Sequence, residues 1–265
     1  MCFFGDHMKA VILQPFYLPW IGYFGMIDTA DIFVFADDIQ FSKKSWQCRN
    51  KIKYSNNPKW LTVPINKHYG QMINKVGINN SITYKQKNNT LNWKEKHWEL
   101  ISLAYTKAPY FDYYKEDIKE VYTQDWDFLC DLNIFIIEKI SKLLGLKQPQ
   151  FIKKSDIEGL EGIKVDSIIN ICNKIGADAY VSGPAAKNYI DNTEFQKFKQ
   201  NDIDLYWYEF PHPIYPQLGT DFLPYLSVID ILFNTGLESK DYIRKSSENS
   251  LQLEEGTSLT MKEEL

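Results

Sequence analysis

The chain has 265 residues, of which 44% are hydrophobic and 15% aromatic, enough to fill one large core. A formal charge of −4 gives no electrostatic ground for general nucleic-acid binding, and no apolar run approaches the roughly 20 residues of a membrane-spanning helix. Cys2, Cys48, Cys130 and Cys172 are scattered without CxxC spacing, which sets aside zinc and disulfide frameworks; the start is too short and irregular for a signal peptide, so a cytoplasmic location is expected.

Taken in chain order, Ala10 to Leu13 predicts a short strand. Pro15 and Pro19 then forbid a regular helix or central strand. Gly22 to Ala30 predicts a helix and Ile32 to Phe35 a second strand, ending on Asp37 and Asp38. This is the layout of a parallel βαβ unit, in which ligands bind beyond the carboxyl ends of the strands. Gln14, Tyr17 and Trp20 fall beyond the first strand and the two aspartates beyond the second. Lys43, Lys44, Arg49, Lys51 and Lys53 follow, with Trp46 among them. Clustered cations suit a phosphate, Arg adds bidentate contacts, and an aromatic beside them can stack on a base. Arg49 and Lys44, framing Trp46, are the stronger candidates; Lys51 and Lys53 read as solvated charge. Trp60 to Ile65 predicts a further strand, and His68 lies in the polar loop after it. Residues 9–87 thus read as the N-terminal half of an α/β core.

Residues 88–150 read as a helical insertion. Trp93, His97, Leu100 and Ile101 recur at helical steps, as do Leu132, Phe135, Ile136 and Ile140, and His97 reads as a packed or surface residue. Residues 151–242 return to α/β as the second half of the core. Lys164 to Lys174 predicts an amphipathic helix, Ala179 to Val181 a strand, and Ser182-Gly183-Pro184 a turn able to present backbone N–H groups to an anion. Ile203 to Tyr208 predicts another strand. Its end meets a proline-stiffened loop carrying His212, Tyr215 and Gln217. His212 is the general-base candidate, because a histidine titrates near neutrality. Leu226 to Asn234 predicts a last helix with Asp230 among apolar residues, and a carboxylate buried there needs partners. The polar, acidic segment 243–265 is expected to be a disordered tail. No characteristic spacing marks a metal site.

The run Gln14-Pro15-Phe16-Tyr17-Leu18-Pro19-Trp20-Ile21-Gly22-Tyr23-Phe24 resembles the opening signature of the bacterial WbqC-like family. Ser45-Trp46 with Arg49-Asn50, Trp60 to Pro64, Tyr180 to Pro184, His212 to Gln217 and Leu226 to Asp230 resemble further blocks of that family, in order over about Lys9 to Gly236. The resemblance implies a place in surface-polysaccharide or O-antigen biosynthesis and adds Asn50 to the candidate residues. The layout of Leu18 to Phe24 is also similar to the HIGH-type turn of nucleotidylyltransferases. That implies a three-layer, mostly parallel nucleotidylyltransferase/HUP-like core, although neither histidine of the signature is present, which argues against ordinary nucleotidyl transfer.

Residues and resemblance together lead to an expected transferase acting on a nucleotide-linked amino sugar by N-acyl or aminoacyl transfer, with an activated acyl donor. Trp20 or Trp46 stacks the base, and Arg49, Lys44 and the Ser182-Gly183 turn hold the diphosphate. His212 or Asp38 takes the proton, while Tyr215 and Gln217 orient the sugar. The alternatives are a divergent nucleotidylyltransferase or ATP-dependent ligase, which uses a nucleoside triphosphate, and a noncatalytic sugar-nucleotide-binding partner.

Overall fold

The computed structural model describes residues 7–42, 45–66, 70–85, 89–248 and 250–255. Lys43, Lys44 and His68 therefore lie outside the described residues.

The elements run β1 (Lys9–Leu13), α1 (Ile21–Thr29), β2 (Ile32–Phe35), β3 (Arg49–Tyr54), β4 (Asn57–Thr62), β5 (Thr83–Lys85), β6 (Thr90–Asn92), α2 (Trp93–Tyr105), α3 (Phe111–Thr123), α4 (Leu129–Leu143), β7 (Gln150–Lys153), α5 (Val165–Ile175), β8 (Ala179–Ser182), α6 (Asn192–Gln200), β9 (Asp204–Tyr208), α7 (Ile229–Thr235), α8 (Ser239–Ser247) and β10 (Leu251–Leu253). The fold is mixed α/β around a six-stranded sheet in the order β10-β9-β8-β1-β2-β7. All its pairings are parallel except β10 with β9. Counted along the chain, the five parallel strands lie as 3-2-1-4-5, the doubly wound order with its switch point beside the first strand, between β1 and β8.

Strand alternation sends successive side chains to opposite faces. Val11, Phe33, Phe35 and Val181 join Phe24 and Ile27 of α1 in one apolar cluster, which continues into α2, α3, α4 and α7. Ala10, Tyr180 and Leu205 pack on the other face against Val165, Ile169 and Cys172 of α5 and Phe195 and Phe198 of α6. The three helices α2 to α4 occur where the periodicity predicts them. Asn92 begins α2 with a capping box, its side chain accepting from the Glu95 N–H while Glu95 accepts from the Asn92 N–H.

Two expectations are corrected. The strand predicted over Trp60 to Ile65 is β4, which leaves the main sheet and pairs with β3 in a hairpin whose two-residue turn, Ser55-Asn56, has positive φ at both positions. The described residues 243–248 and 250–255 carry structure: α8 buries Ile243 completely, Arg244 grips Asp28 of α1 at 2.8 and 3.1 Å, and β10 extends the sheet. One fully buried apolar side chain and a two-point ion pair anchor a helix too short for a composition-based reading to find. Cys48, Cys130 and Cys172 are buried, and no helix among the described residues is long and apolar enough to cross a membrane.

α1, β9 and α8 meet closely at Gly25. A Cβ placed there comes within 2.0 Å of the Tyr208 hydroxyl, which is bonded to Ser247 Oγ at 2.8 Å. Gly25→Ala is therefore expected to cost about 1–3 kcal/mol by overpacking, despite its better helix propensity. Chemical denaturation of the two proteins measures it, and an unchanged or raised midpoint would contradict the close approach.

Candidate functional site

The candidate residues divide between two concave sites on either side of the turn that leaves β1. The first is a crevice of about 420 Å3 at the switch point, within the size range of small-molecule sites. Its walls come from the ends of β1 (Leu13, Gln14), β2 (Ala36) and β8 (Ser182, Gly183), from the start of α5 (Lys164, Ser167, Ile168) and from Lys154 after β7. A parallel sheet places these strand ends together because every strand points the same way. Lys154 Nζ bonds both carboxylate oxygens of Asp38 at 2.9 Å, whereas Lys164 has no ion-pair partner among the described residues, leaving it as a cation for a bound anion. Lys164 also holds a positive φ, 51°, an arrangement that costs free energy and recurs at binding sites. Asp37 is buried and committed: it accepts from the Ser155 N–H at 2.9 Å and the Ser155 hydroxyl at 2.6 Å.

The second site is an aromatic cleft of about 160 Å3 lined by Phe16, Pro19, Trp20, Trp46, Asn50 and Tyr225. Its walls belong to three segments tied by backbone hydrogen bonds: Tyr17 N–H to Trp46 O (3.0 Å), Val228 N–H to Pro19 O (2.9 Å) and Ser227 N–H to Lys51 O (2.8 Å). The buried Asn133 of α4 clamps two of them, donating to Pro15 O at 2.9 Å and Gln47 O at 2.8 Å. Gly22 is required here by contact: a Cβ on it falls 2.3 Å from the Trp20 indole, which lies across the start of α1. Just outside, the Arg49 guanidinium stacks 4.2 Å from the Trp60 ring centre, and Lys51 Nζ sits 5.8 and 5.6 Å from those of Trp46 and Trp60.

Four candidates fall elsewhere. Tyr17 is fully buried, its hydroxyl bonded to His97 Nδ1 and to the Tyr122 hydroxyl, both at 2.8 Å, so it faces neither site. Burial holds His97 neutral, pushing its pKa down to about 3. His212 is not free to act as a base. Its Nδ1–H donates to Pro213 O at 2.9 Å and its Nε2 accepts the Tyr225 N–H at 3.1 Å, which occupies both nitrogens of the neutral ring. Burial also lowers its pKa. The ring instead lies parallel to Trp20, centroids 6.2 Å apart, and fixes Tyr225 at the mouth of the cleft. Tyr215 and Gln217 do not face the crevice: they donate to Asp230 Oδ2 at 2.9 and 2.8 Å. Tyr105 bonds Oδ1 at 2.8 Å. With Lys53 beside Gln217 Oε1 and bonded to Asp221 O, they form a buried network joining α2, β3, α7 and the 210–228 loop.

Of the other candidates, Gln14, Ser182 and Gly183 line the crevice, while Trp20, Trp46 and Asn50 line the cleft. Asp38 reaches the crevice through Lys154, and Arg49 stacks on Trp60, which packs on the cleft residue Trp46. Sequence reasoning missed Lys154 and Tyr225; the apolar pair Phe151-Ile152 was the available sign of a strand before Lys154. Among the described residues no group of three His, Cys, Asp or Glu side chains could hold a metal ion.

A family model described as the WbqC-like protein family matches residues 14–242. The uncharacterized protein Rv1507c of Mycobacterium tuberculosis is 31% identical over 240 residues, covering 89% of this chain and 97% of that protein. No solved structure matches.

Proposed function

We propose, from the premise that the chain belongs to the WbqC-like protein family, that it binds a nucleotide-linked amino sugar in the switch-point crevice and acylates the amine in surface-polysaccharide assembly. The observation that carries this reading is the position of the crevice. It opens beyond the carboxyl ends of β1, β2 and β8 in a 3-2-1-4-5 sheet, where doubly wound folds bind nucleotides. The same order supports a nucleotidylyltransferase/HUP-like ancestry for the core. Lys164 and the Ser182-Gly183 turn hold the diphosphate, and Gln14 offers its amide to the ligand. Asp38, held by Lys154, takes the proton as the amine attacks the acyl carbon and the donor's leaving group departs. His212 has no part in that step.

A second reading, a noncatalytic sugar-nucleotide-binding protein, is favoured by one observation: both titratable candidates are committed, His212 to two backbone groups and Asp38 to Lys154. Thermal-shift titration with nucleotide-linked sugars, nucleotide-linked amino sugars and nucleoside triphosphates tests the shared part. Stabilisation by an amino-sugar nucleotide is expected, reaching about 2.7 kcal/mol at a ligand concentration of 100 Kd, and it is expected to be lost in Lys164→Glu. No shift with any nucleotide-linked sugar would sink both readings. A shift without a product mass change across a panel of acyl donors selects the noncatalytic one, and pyrophosphate release from a triphosphate would return weight to nucleotidyl transfer.

A further inference from the structure

The aromatic cleft is a binding site in its own right, and its chemistry differs from that of the crevice. At about 160 Å3 it is smaller than the roughly 300 Å3 at which ordinary small-molecule pockets begin. A nucleotide-linked sugar does not fit it, whereas a single ring or a short chain does. A sugar ring is also disfavoured, because its several hydroxyls need partners while the walls other than Asn50 are aromatic rings and a proline, and Asn50 already gives one Nδ2–H to Leu18 O at 2.5 Å and one Oδ1 lone pair to the Lys51 N–H at 2.7 Å. The inserted group is therefore apolar.

The rim adds a second requirement. Trp46 forms the wall of the cleft, and Lys51 Nζ stands 5.8 Å from its ring centre. Arg49 follows on the same face of β3, two residues away, with its Nε buried and without a hydrogen-bond partner among the described residues. Lys51, beside the Trp46 wall, offers countercharge to an anion carried on the apolar group at the mouth of the cleft. The walls are also prepared in advance. Leu18 and Tyr225 are both held at positive φ (45° and 56°), and such strained backbone persists only where the surroundings impose it.

We infer that the cleft binds the acyl component of the reaction: a small apolar carboxylic acid or its acyl phosphate, with the apolar group between Trp20, Trp46 and Tyr225 and the anion on Lys51 and Arg49. Assigning this ligand as an acyl donor rests on the amide-forming reading given above; the binding chemistry does not. Two sources share it, the free acid and the activated phosphate.

The test is calorimetric titration of the full chain with acetate, butyrate, hexanoate and benzoate, with the corresponding primary amides, and with butyryl and benzoyl phosphate. Tryptophan indole N–H signals are followed by NMR in parallel. Affinity is expected to rise with apolar size and to fall about tenfold on removing the negative charge, in Trp46→Ala and in Lys51→Gln. Trp46 lies in the turn before β3 and is 43% exposed, and Lys51 is a half-buried residue of the hairpin, so both variants retain the fold. Tighter binding of acyl phosphates identifies the activated donor, and tighter binding of carboxylates the free acid. Amides binding as well as acids, no dependence on chain length, or full affinity in Trp46→Ala would each overturn the proposal. So would competition with a nucleotide-linked sugar. These probes carry no nucleotide, so failure of the crevice to bind one leaves this result readable.

Discussion

Replacing Asp230 with alanine is expected to cost about 3–5 kcal/mol, because it strands the Tyr105 and Tyr215 hydroxyls as buried donors without an acceptor and removes one of the acceptors of the Gln217 amide. The carboxylate is itself a liability. Burial pushes its pKa up from the ordinary 3.8 to about 6, although Tyr105, Tyr215, Lys53 and Gln217 all favour the charged form. The folded protein therefore binds more protons at this residue than the unfolded chain does between about pH 4 and pH 6. Its stabilising contribution is fully present below the unfolded value and is lost as the pH rises through the folded value, a change of about 3 kcal/mol. Asp230→Asn keeps an acceptor and cannot titrate. The stability difference, wild type minus Asp230→Asn, is expected to fall by up to that amount between pH 4 and pH 7 in urea unfolding. Parallel pH curves for the two proteins would show that Asp230 titrates normally.

The same network shows where sequence reading reaches its limit. Asp230 was legible as a carboxylate in need of partners, because a charge on an apolar helix face admits few fates. Its partners were not legible: Tyr105 lies 125 residues away in the chain and Tyr215 lies 15 away. Tyr215 and Gln217 look like ligand-orienting residues in a stiff polar loop, and nothing local says that their polar atoms turn inward. His212 was misread for a related reason. An exposed-looking loop histidine suggests a base, but its role is set by the Tyr225 N–H thirteen residues on, which takes the nitrogen a base needs. Tyr17 likewise depends on His97 and Tyr122, 80 and 105 residues distant.

The parallel core was more accessible, since Ala10 to Leu13, Ile32 to Phe35 and Ala179 to Val181 are continuous apolar runs and Ile203 to Tyr208 alternates polar with apolar, and all four coincide with strands. From those strand ends the crevice residues Gln14, Ser182 and Gly183 follow. β7, edging the sheet beside β2, was hidden because only Phe151 and Ile152 of its four residues are apolar, and with it Lys154. The separation of the crevice from the aromatic cleft was beyond reach, because Gln14 and Phe16 are two residues apart and only the turn between them sends one to each site.

Gly183 offers the sharpest division between binding and stability. It leaves β8 with φ −74° and ψ 161°, a conformation open to any L residue, and a Cβ built on it meets no other atom within 4 Å. A Cβ placed there therefore strains no backbone and opens onto the crevice that Gly183 itself lines, where a longer side chain can extend. Gly183→Leu is expected to leave the unfolding midpoint within about 0.5 kcal/mol of wild type, as for a substitution away from packed features. It fills space that a nucleotide-linked sugar needs and covers the turn's backbone N–H groups. Binding of that ligand is then expected to weaken by at least about a hundredfold, near 2.7 kcal/mol. Gly183→Ala, smaller by three carbons, should fall between. Carboxylate binding in the aromatic cleft should be unaffected, because no residue lines both sites. Gly183→Leu with wild-type affinity for the nucleotide-linked sugar would move that ligand out of the crevice, and loss of both binding activities together would mean that the two sites are coupled through the turn at Pro15 rather than independent.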